Sequence, residues 1–310
     1  MAKSCLILGL LESNDESSRI AAKQAVNDLL DDAGMWKKKP VAVDCGMLSF
    51  AVLKAAKDPQ AVRPAMDYSI ELIRKNVNDY GMISYTGGRD NPEMYVDTLG
   101  LTCPFLALYG QVYHDSQCEK LAVDQLRMYH TYGLLAGTAL PNHAFNIKSK
   151  LPLGVYGWGR GTAWYLIGLV DTYHQLQTPE YQAEVLQWIS ESAQAYVEYQ
   201  RTDGGFGSIL QREGTYDSSA TAAMAWFYAE CATLLENSVY RDISHRCLSI
   251  LLKKTRITAQ SMTAKAIPRG SEYLHRPTIS CRLRREWHFG QYARQVRLSL
   301  KRNYGKEITH

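Results

Sequence analysis

Helical periodicity is the feature that most constrains the fold of this chain. Apolar residues recur at three- and four-residue spacing in nine segments, a pattern typical of helices with one buried face. The segments are 16–32, 45–57, 60–77, 98–113, 117–131, 162–176, 181–200, 218–235 and 239–253. A further helix is predicted at the N-terminus, where "CLILGLL" follows Lys3. The sequence therefore predicts a mostly α-helical protein.

Three connections between these helices share one pattern, at 78–90, 131–145 and 201–217. Each has a glycine after a helix end, then a short β-like stretch and a polar loop before the next helix. Their glycines, Gly81, Gly133 and Gly205, are 52 and 72 residues apart, so the chain lacks the fixed period of an open solenoid. Long loops on one rim instead favour a toroid of helical hairpins whose loops form a pocket.

Composition excludes several classes of protein. The seven cysteines are odd in number and include no CxxC pair, which argues against a disulfide framework or a zinc site and favours a reducing compartment. Acidic residues follow the apolar N-terminal stretch without a cleavage site, so we interpret it as a helix of a cytoplasmic protein. No apolar run approaches the roughly 18 residues of a membrane span. "GWGRG" lacks the strand and lysine of a phosphate loop, and no cofactor is predicted.

The end of the chain differs from the rest. From Lys253 onward there are 14 Lys and Arg against 3 Asp and Glu, and clear helical patterning is lost after about residue 255. A basic segment of this kind can bind an acidic polymer or form a solvated surface. The sequence favours the solvated surface, and we predict no nucleic-acid partner.

Three polar residues mark helix starts and one loop as candidate site elements. Asp44 precedes the helix at 45–57, Asp97 precedes the helix at 98–113, and His143 lies in the loop segment "PNHAFN". Each aspartate taken alone is typical of a helix N-cap, and a lone loop histidine is more often structural than catalytic. In a helical toroid, however, helix starts and these loops face the same end.

The segment "VYGWGRGTAWYLIG" places Arg160 between Trp158 and Trp164 on glycine-rich backbone. Burying both indoles in the core would carry the arginine with them, and an unpaired guanidinium in an apolar interior is costly. An open cleft walled by the two indoles avoids that cost. There the arginine can bind a carboxylate through two hydrogen bonds while the indoles stack on a sugar ring. An excess of tyrosine and tryptophan (20 and 6, against 6 phenylalanines) also suits a carbohydrate cleft.

Four segments, taken in order and at suitable separations, resemble glycoside hydrolase family 105, the unsaturated rhamnogalacturonyl hydrolases, and the related family 88. The segments are "YVDTLGLTCPFLALYG", "NHAF", "YGWGRGTAWYLIGLVDTY" and "TDGGFGSILQREGTYDSSATAAMAWFYA". The resemblance covers roughly residues 35 to 240. It implies an (α/α)6 barrel, here incomplete at its N-terminus and irregular at its C-terminus. We therefore expect residues 1–255 to form the catalytic barrel domain and the basic segment 256–310 to complete it.

The resemblance also implies a reaction. Such enzymes remove a 4,5-unsaturated uronic acid from the non-reducing end of oligosaccharides made by polysaccharide lyases. An aspartic acid protonates the ring alkene, water adds to the other carbon, and the hemiketal opens and expels the rest of the chain, unlike the usual two-carboxylate glycosidase. The implied site residues are Asp97 as general acid and base, Asp44 as the second carboxylate, and His143, Trp158, Arg160 and Trp164 as substrate contacts.

Two other functions remain open at the level of sequence. The same pocket could serve an (α/α)6 glycosidase acting on another acidic glycan, such as a glycosaminoglycan fragment. The barrel could also bind glycans without turnover, an alternative suggested by the unusual C-terminal segment. The presence of Asp44, Asp97, His143 and Arg160 together favours an enzyme with an acidic oligosaccharide as its partner. The sequence does not predict an oligomeric state.

Overall fold

Ten α-helices contain most of residues 2–85, 88–212 and 214–254, which are the residues described by the structure, a computed structural model. The helices are α1 (Ala2–Leu11), α2 (Glu16–Asn27), α3 (Cys45–Ala55), α4 (Arg63–Lys75), α5 (Asp97–Tyr113), α6 (Ser116–Tyr132), α7 (Gly159–Tyr173), α8 (Pro179–Tyr196), α9 (Ser218–Leu234) and α10 (Ser238–Lys254). Short 3₁₀ turns at Gln60–Val62 and Val197–Tyr199 precede α4 and follow α8. The predicted helices are confirmed, with ends that differ by a few residues.

The helices form two layers. Each odd-numbered helix packs against the next odd-numbered one, from α1 through α9, and also against the even-numbered helix that follows it. The inner helices α5 and α7 are buried over almost their whole length, whereas outer helices such as α2 and α8 bury only one side. This is the arrangement of an (α/α) barrel, as predicted. The described residues contain five of its hairpins, and the predicted segment 256–310 lies outside them.

The long connections all lie on one rim. They lead from an outer helix to the next inner helix, at 28–44, 76–96, 133–158 and 200–217. The returning connections are short, for example 114–115 between α5 and α6 and 235–237 between α9 and α10. The starts of α3, α5, α7 and α9 therefore share the rim with the long loops, as the sequence predicted.

Four of these loops, rather than the three predicted, begin with the same turn. In each, a residue near the start of the loop accepts a backbone hydrogen bond across a tight turn, as in the bond from the Gly34 amide to the Asp31 carbonyl (3.0 Å). A glycine with positive φ lies in each turn, and a glycine adopts that conformation without the strain of a Cβ. These glycines are Gly34, Gly81, Gly137 and Gly204. The predicted Gly205 directly follows Gly204, whereas the predicted Gly133 is the C-cap of α6 and precedes Gly137 by four residues. The copy at Gly34 was missed because helix α2 ends at Asn27, earlier than expected.

A small antiparallel sheet joins two of the long loops. Its strands β1 (Glu93–Tyr95), β2 (Ala144–Asn146) and β3 (Leu151–Leu153) pair in the order β1-β2-β3. Tyr95 pairs with Ala144, and the Val96 amide donates to the His143 carbonyl (3.0 Å). The sheet thereby fixes the start of α5 beside the loop that contains His143.

Outer helices are joined by a buried carboxylate. Glu119 of α6 accepts hydrogen bonds from the Gln177 amide (2.6 Å), the Thr178 amide (2.9 Å) and the Thr178 hydroxyl (2.9 Å) at the start of α8. Thr178 is the N-cap residue of α8 but its side chain forms no capping bond, and Glu119 instead accepts hydrogen bonds at this helix start. In the described part of the chain, no helix has the length and apolar character needed to cross a membrane.

Candidate active site

The first turns of α3, α5 and α7 approach one another closely because glycines lie at the contacts. A Cβ on Gly46 would lie 2.4 Å from the Leu101 carbonyl oxygen, and one on Gly100 would lie 2.7 Å from that of Trp164. With a rise of about 1.5 Å per residue, Asp44 and Asp97 stand about 3 Å and about 6 Å along their helices from the first of these contacts. The two helix starts that hold the candidate carboxylates are therefore neighbours on the loop rim. The pairing of the carboxylates themselves stays a prediction.

Neither candidate carboxylate fills the capping role that sequence alone would favour. Asp44 occupies the N-cap position of α3 but makes no side-chain capping bond, and Asp97 is the first residue inside α5, whose N-cap is Val96. Other helices use aspartate caps in the ordinary way, since the side chain of Asp115 accepts from two amides of α6 and that of Asp217 from two amides of α9. An N-cap role therefore does not account for Asp44.

Asp97 and His143 meet at the rim. The Asp97 Oδ2 atom lies 3.7 Å from His143 Nε2, with 24% of the aspartate side chain and 15% of the histidine side chain exposed. The contact joins the first turn of α5 to the loop before β2. Both groups keep some access to solvent, as a carboxyl group that exchanges protons with a substrate requires.

Burial lowers the pKa of His143. The charge of Arg160 acts in the same direction, whereas the Asp97 carboxylate acts to raise this pKa, and burial dominates. The ring is therefore mostly neutral near pH 7, because its ordinary pKa is about 6.5. A neutral imidazole beside Asp97 can accept or donate one hydrogen bond at Nε2, depending on its tautomer.

Aromatic rings surround the histidine. The Trp158 ring is perpendicular to it at 5.0 Å between centroids, and the Tyr95 ring lies nearly perpendicular at 5.6 Å. The Arg160 guanidinium lies over the Trp158 ring, 4.8 Å from its centroid, which is a cation–π geometry. Asp97, His143, Trp158 and Arg160 thus form one contiguous group. Tyr95, which precedes Asp97 by two residues, belongs to it but was not predicted.

The structure buries both indoles more deeply than the sequence analysis expected, and their role as walls of a substrate cleft stays a prediction. Trp158 is 5% exposed and Trp164 is 4% exposed. Burial of the indoles does not carry Arg160 into the core, because the side chains of Trp158 and Arg160 have different surroundings. Trp158 occupies the N-cap position of α7 and contacts His143, whereas Arg160 is half-buried and stacks on the Trp158 ring.

Trp164 lies deeper, between three inner helices. It belongs to a small apolar cluster with Met47 of α3, Leu101 of α5 and Ile167 of α7. Its Cε3 atom would be 2.8 Å from a Cβ on Gly100. The residue therefore supports the rim by packing α7 against α5, and a direct contact of Trp164 with substrate stays a prediction.

The glycines on either side of Arg160 allow the backbone to pack tightly. A Cβ on Gly159 would lie 2.6 Å from the Gly207 carbonyl oxygen, and one on Gly161 would lie 2.6 Å from the Trp158 ring. The Gly159 amide donates to the backbone carbonyl of Ser208 (2.9 Å), and the Leu210 amide donates to the backbone carbonyl of Gly157 (2.8 Å). The loop before α9 thus holds the tryptophan in place. Among the described residues no group of three or more His, Cys, Asp or Glu side chains is arranged to hold a metal ion.

The starts of α5 and α7 present a carboxylate and a stacked tryptophan–arginine pair, and the loop before β2 adds a histidine, all on one rim of an (α/α) barrel. This arrangement suits an enzyme that acts on an acidic ligand. The family model described as Glycosyl Hydrolase Family 88 matches residues 9–269. The chain belongs to this family. No curated protein sequence matches the chain.

Solved structures share the fold. A possible member of the GH105 family from Salmonella enterica serovar Paratyphi A has a TM-score of 0.78 at 17% identity, covering 98% of this chain and 83% of that one. A family 105 glycoside hydrolase from C. acetobutylicum has a TM-score of 0.76 at 12% identity, covering 95% and 92%. An unsaturated glucuronyl hydrolase from Bacillus sp. GL1, responsible for the degradation of glycosaminoglycan, has a TM-score of 0.68 at 19% identity, covering 97% and 85%. At these identities the likeness describes the fold.

Proposed function

We propose that the enzyme removes 4,5-unsaturated uronic acid from the non-reducing end of lyase-generated oligosaccharides of the rhamnogalacturonan type. Membership of family 88 supports the class of reaction. The resemblance of the Asp97, His143 and Trp158–Arg160 segments to family 105 supports the choice of glycan. The name of the similar structure from Bacillus sp. GL1, an unsaturated glucuronyl hydrolase, supports an unsaturated uronate as the terminal sugar.

Asp97 is the general acid and base in this proposal. Its carboxyl proton is transferred to C4 of the ring alkene, and water adds at C5 after losing a proton to the carboxylate. The product is a hemiketal, which opens and releases the remaining oligosaccharide as an alcohol. Asp97 ends the cycle protonated, so no cofactor or redox partner is needed to balance the reaction.

The other site residues bind and orient the substrate. Arg160 offers a planar fork for the uronate carboxylate, and its stacking on Trp158 restricts the side chain before substrate arrives. His143, mostly neutral, contacts a sugar hydroxyl beside Asp97. Asp44 is the second carboxylate, and Trp164 supports the wall from the adjoining apolar cluster.

One observation weighs most: the Asp97 carboxylate lies 3.7 Å from His143 Nε2 in a site that also holds a stacked arginine. A carboxyl group that can donate a proton and an arginine that can bind a carboxylate suit the hydration of an unsaturated uronate.

A substrate panel tests the proposal. The enzyme is incubated with a lyase digest of rhamnogalacturonan, a lyase digest of a glycosaminoglycan, and saturated oligosaccharides of the same composition. We expect loss of the ultraviolet absorbance of the alkene with the rhamnogalacturonan digest and no release of sugar from the saturated ones. Turnover of the glycosaminoglycan digest alone would overturn the choice of glycan. Turnover of saturated oligosaccharides would overturn the reaction, and binding without turnover would show a barrel that only binds glycans.

We also propose that the enzyme acts in the cytoplasm. The six cysteines among the described residues are all free thiols, five of them buried. Free thiols are typical of a reducing compartment.

A further inference from the structure

A buried pair of polar side chains lies next to the candidate site and takes no part in the chemistry described so far. Tyr129 is on the outer helix α6, and Asn142 immediately precedes His143. Both residues are buried. A polar pair in the core is costly unless its hydrogen bonds are made, so the partners of this pair are informative.

The tyrosine hydroxyl holds Asn142 at two points. It lies 2.7 Å from the backbone carbonyl oxygen of Asn142 and 3.0 Å from its side-chain Oδ1. The backbone N–H of Asn142 donates in turn to the Gly133 carbonyl (2.9 Å). Gly133 itself fits closely beside the tyrosine ring, since a Cβ there would lie 2.4 Å from a ring carbon of Tyr129. The residue before His143 is therefore fixed through both its backbone and its side chain.

The proton count of this pair favours one arrangement of the amide. A hydroxyl carries a single proton, so it donates fully to only one oxygen, and the backbone carbonyl is the nearer one. With Oδ1 facing the hydroxyl, the Asn142 Nδ2 atom has no hydrogen-bond partner among the described residues. Turning the amide by half a rotation lets Nδ2 donate to the hydroxyl, which then donates to the carbonyl. The two groups would then close a small hydrogen-bonded ring.

The pair is linked to both members of the candidate acid–histidine contact. The peptide that follows Asn142 belongs to His143, whose carbonyl accepts from the Val96 amide next to Asp97. Burial raises the pKa of Tyr129, and the charge of Asp97 acts in the same direction. A shift of Asn142 would thus move His143 relative to Asp97.

We infer that Tyr129 and Asn142 are positioning residues that set the distance between His143 and Asp97. Their effect on turnover rests on the proposed function, whereas their effect on His143 does not. Tyr129 is also held by packing, because its ring meets Phe145 of β2 edge-on at 5.4 Å. Removing the hydroxyl alone leaves that packing in place and removes the hydrogen bonds that hold the carbonyl and the side chain of Asn142.

The test compares Tyr129→Phe with Tyr228→Phe. Tyr228 is an equally buried tyrosine on α9 whose hydroxyl donates to the Ala193 carbonyl (3.1 Å), away from the site, so it is a matched control. The pKa of His143 is read from the NMR titration of its ring protons without substrate, with His143→Gln used for assignment. We expect Tyr129→Phe to raise this pKa toward its ordinary value, because a released ring is better hydrated, and Tyr228→Phe to leave it unchanged.

Turnover provides the second readout. We expect Tyr129→Phe to lower kcat by about tenfold or more, because the acid–histidine geometry is lost. KM should rise by less than kcat falls, because Arg160 still binds the uronate carboxylate while the contact of His143 with the sugar weakens. Asn142→Ala should change both quantities in the same directions but less, because the hydrogen bond from the Tyr129 hydroxyl to the backbone carbonyl of residue 142 remains. Equal titrations and equal kcat in Tyr129→Phe and Tyr228→Phe would overturn the inference. A wild-type enzyme without activity on unsaturated substrates would instead overturn the proposed function and leave the titration result valid.

Discussion

Gly100→Ala is the sharpest test of how the fold positions the site. Gly100 lies in the first turns of α5, where α7 crosses it. A Cβ there would lie 2.7 Å from the Trp164 carbonyl oxygen, 2.8 Å from its ring atom Cε3 and 3.3 Å from its Cα. Two of these three atoms belong to the backbone of α7, so a change of rotamer cannot relieve the contact.

The size of the effect follows from these distances. Carbon atoms pack at about 3.5 Å or more, so α7 must move away from α5 by roughly 0.7 Å. In a solvated helix, Gly→Ala stabilises by about 1 kcal/mol, whereas forcing a methyl group into a packed interior costs about 1–3 kcal/mol. We expect the free energy of unfolding to fall by about 1 kcal/mol or more. Because Asp97 and Arg160 lie in the first turns of the two separated helices, kcat/KM should fall by about tenfold to a hundredfold.

Urea unfolding and initial rates measure the two quantities. Gly214→Ala is the control, since a Cβ there would have its nearest neighbour, the Arg212 carbonyl oxygen, at 3.6 Å. It should change neither stability nor rate. If Gly100→Ala behaved as a solvated helix glycine, gaining stability and keeping full activity, the close approach of α5 and α7 would be refuted as the basis of the site.

Three further changes give separate tests. Glu119→Ala should lower the free energy of unfolding in urea by about 2–3 kcal/mol, because the capping carboxylate of α8 is lost, and Glu119→Gln should restore part of it. Glu230→Gln should lower the free energy of unfolding by roughly 0.5 kcal/mol near pH 6 and leave it unchanged at pH 9. The hydrogen bond to Glu230 (3.0 Å) raises the pKa of the partly exposed His174 in the folded protein. The stabilisation is therefore present below the pKa of the unfolded state and is lost as the pH rises through the pKa of the folded state. Arg160→Gln should raise the pKa of His143, measured by NMR titration, because a nearby positive charge is removed.

Each of these has a contradicting result. Equal stability of Glu119→Ala and the wild type would mean that α8 is capped by other groups. A pH-independent loss in Glu230→Gln would assign its effect to packing. An unchanged pKa of His143 in Arg160→Gln would place the arginine charge too far from the histidine to act on it.

The sequence predicted the helices and the rim, because both depend on short-range patterns. Apolar spacing located the inner and outer helices, and a glycine after a helix end located the turns of the long loops. The copy at Gly34 was missed because apolar residues continue past the end of α2 at Asn27 into Leu29 and Leu30, so the periodicity outlasts the helix. Local spacing cannot distinguish a helix end from an apolar turn that packs on the same core.

The site was only partly predictable. The segment around Arg160 singled out Trp158 and Arg160, which the structure places beside His143, but it did not predict their exposure. Burial depends on which neighbouring helices and loops cover each indole. Trp164 is covered by α3 and α5, which are far away in sequence. Tyr129 and Asn142 gave no signal, because a hydrogen bond between an outer helix and a loop leaves no periodic pattern.

The most direct test of the central claim is the initial rate of alkene absorbance loss on lyase-digested rhamnogalacturonan for the wild type, Asp97→Asn and Asp67→Asn. Asp67 is a matched control, an aspartate on α4 that accepts a hydrogen bond from Tyr109 (2.6 Å) and takes no part in the proposed chemistry. We predict that Asp97→Asn stays folded and loses about 10²- to 10⁴-fold in rate, the contribution of a general acid, while Asp67→Asn retains its rate. An Asp97→Asn enzyme with the rate of the wild type would contradict the account.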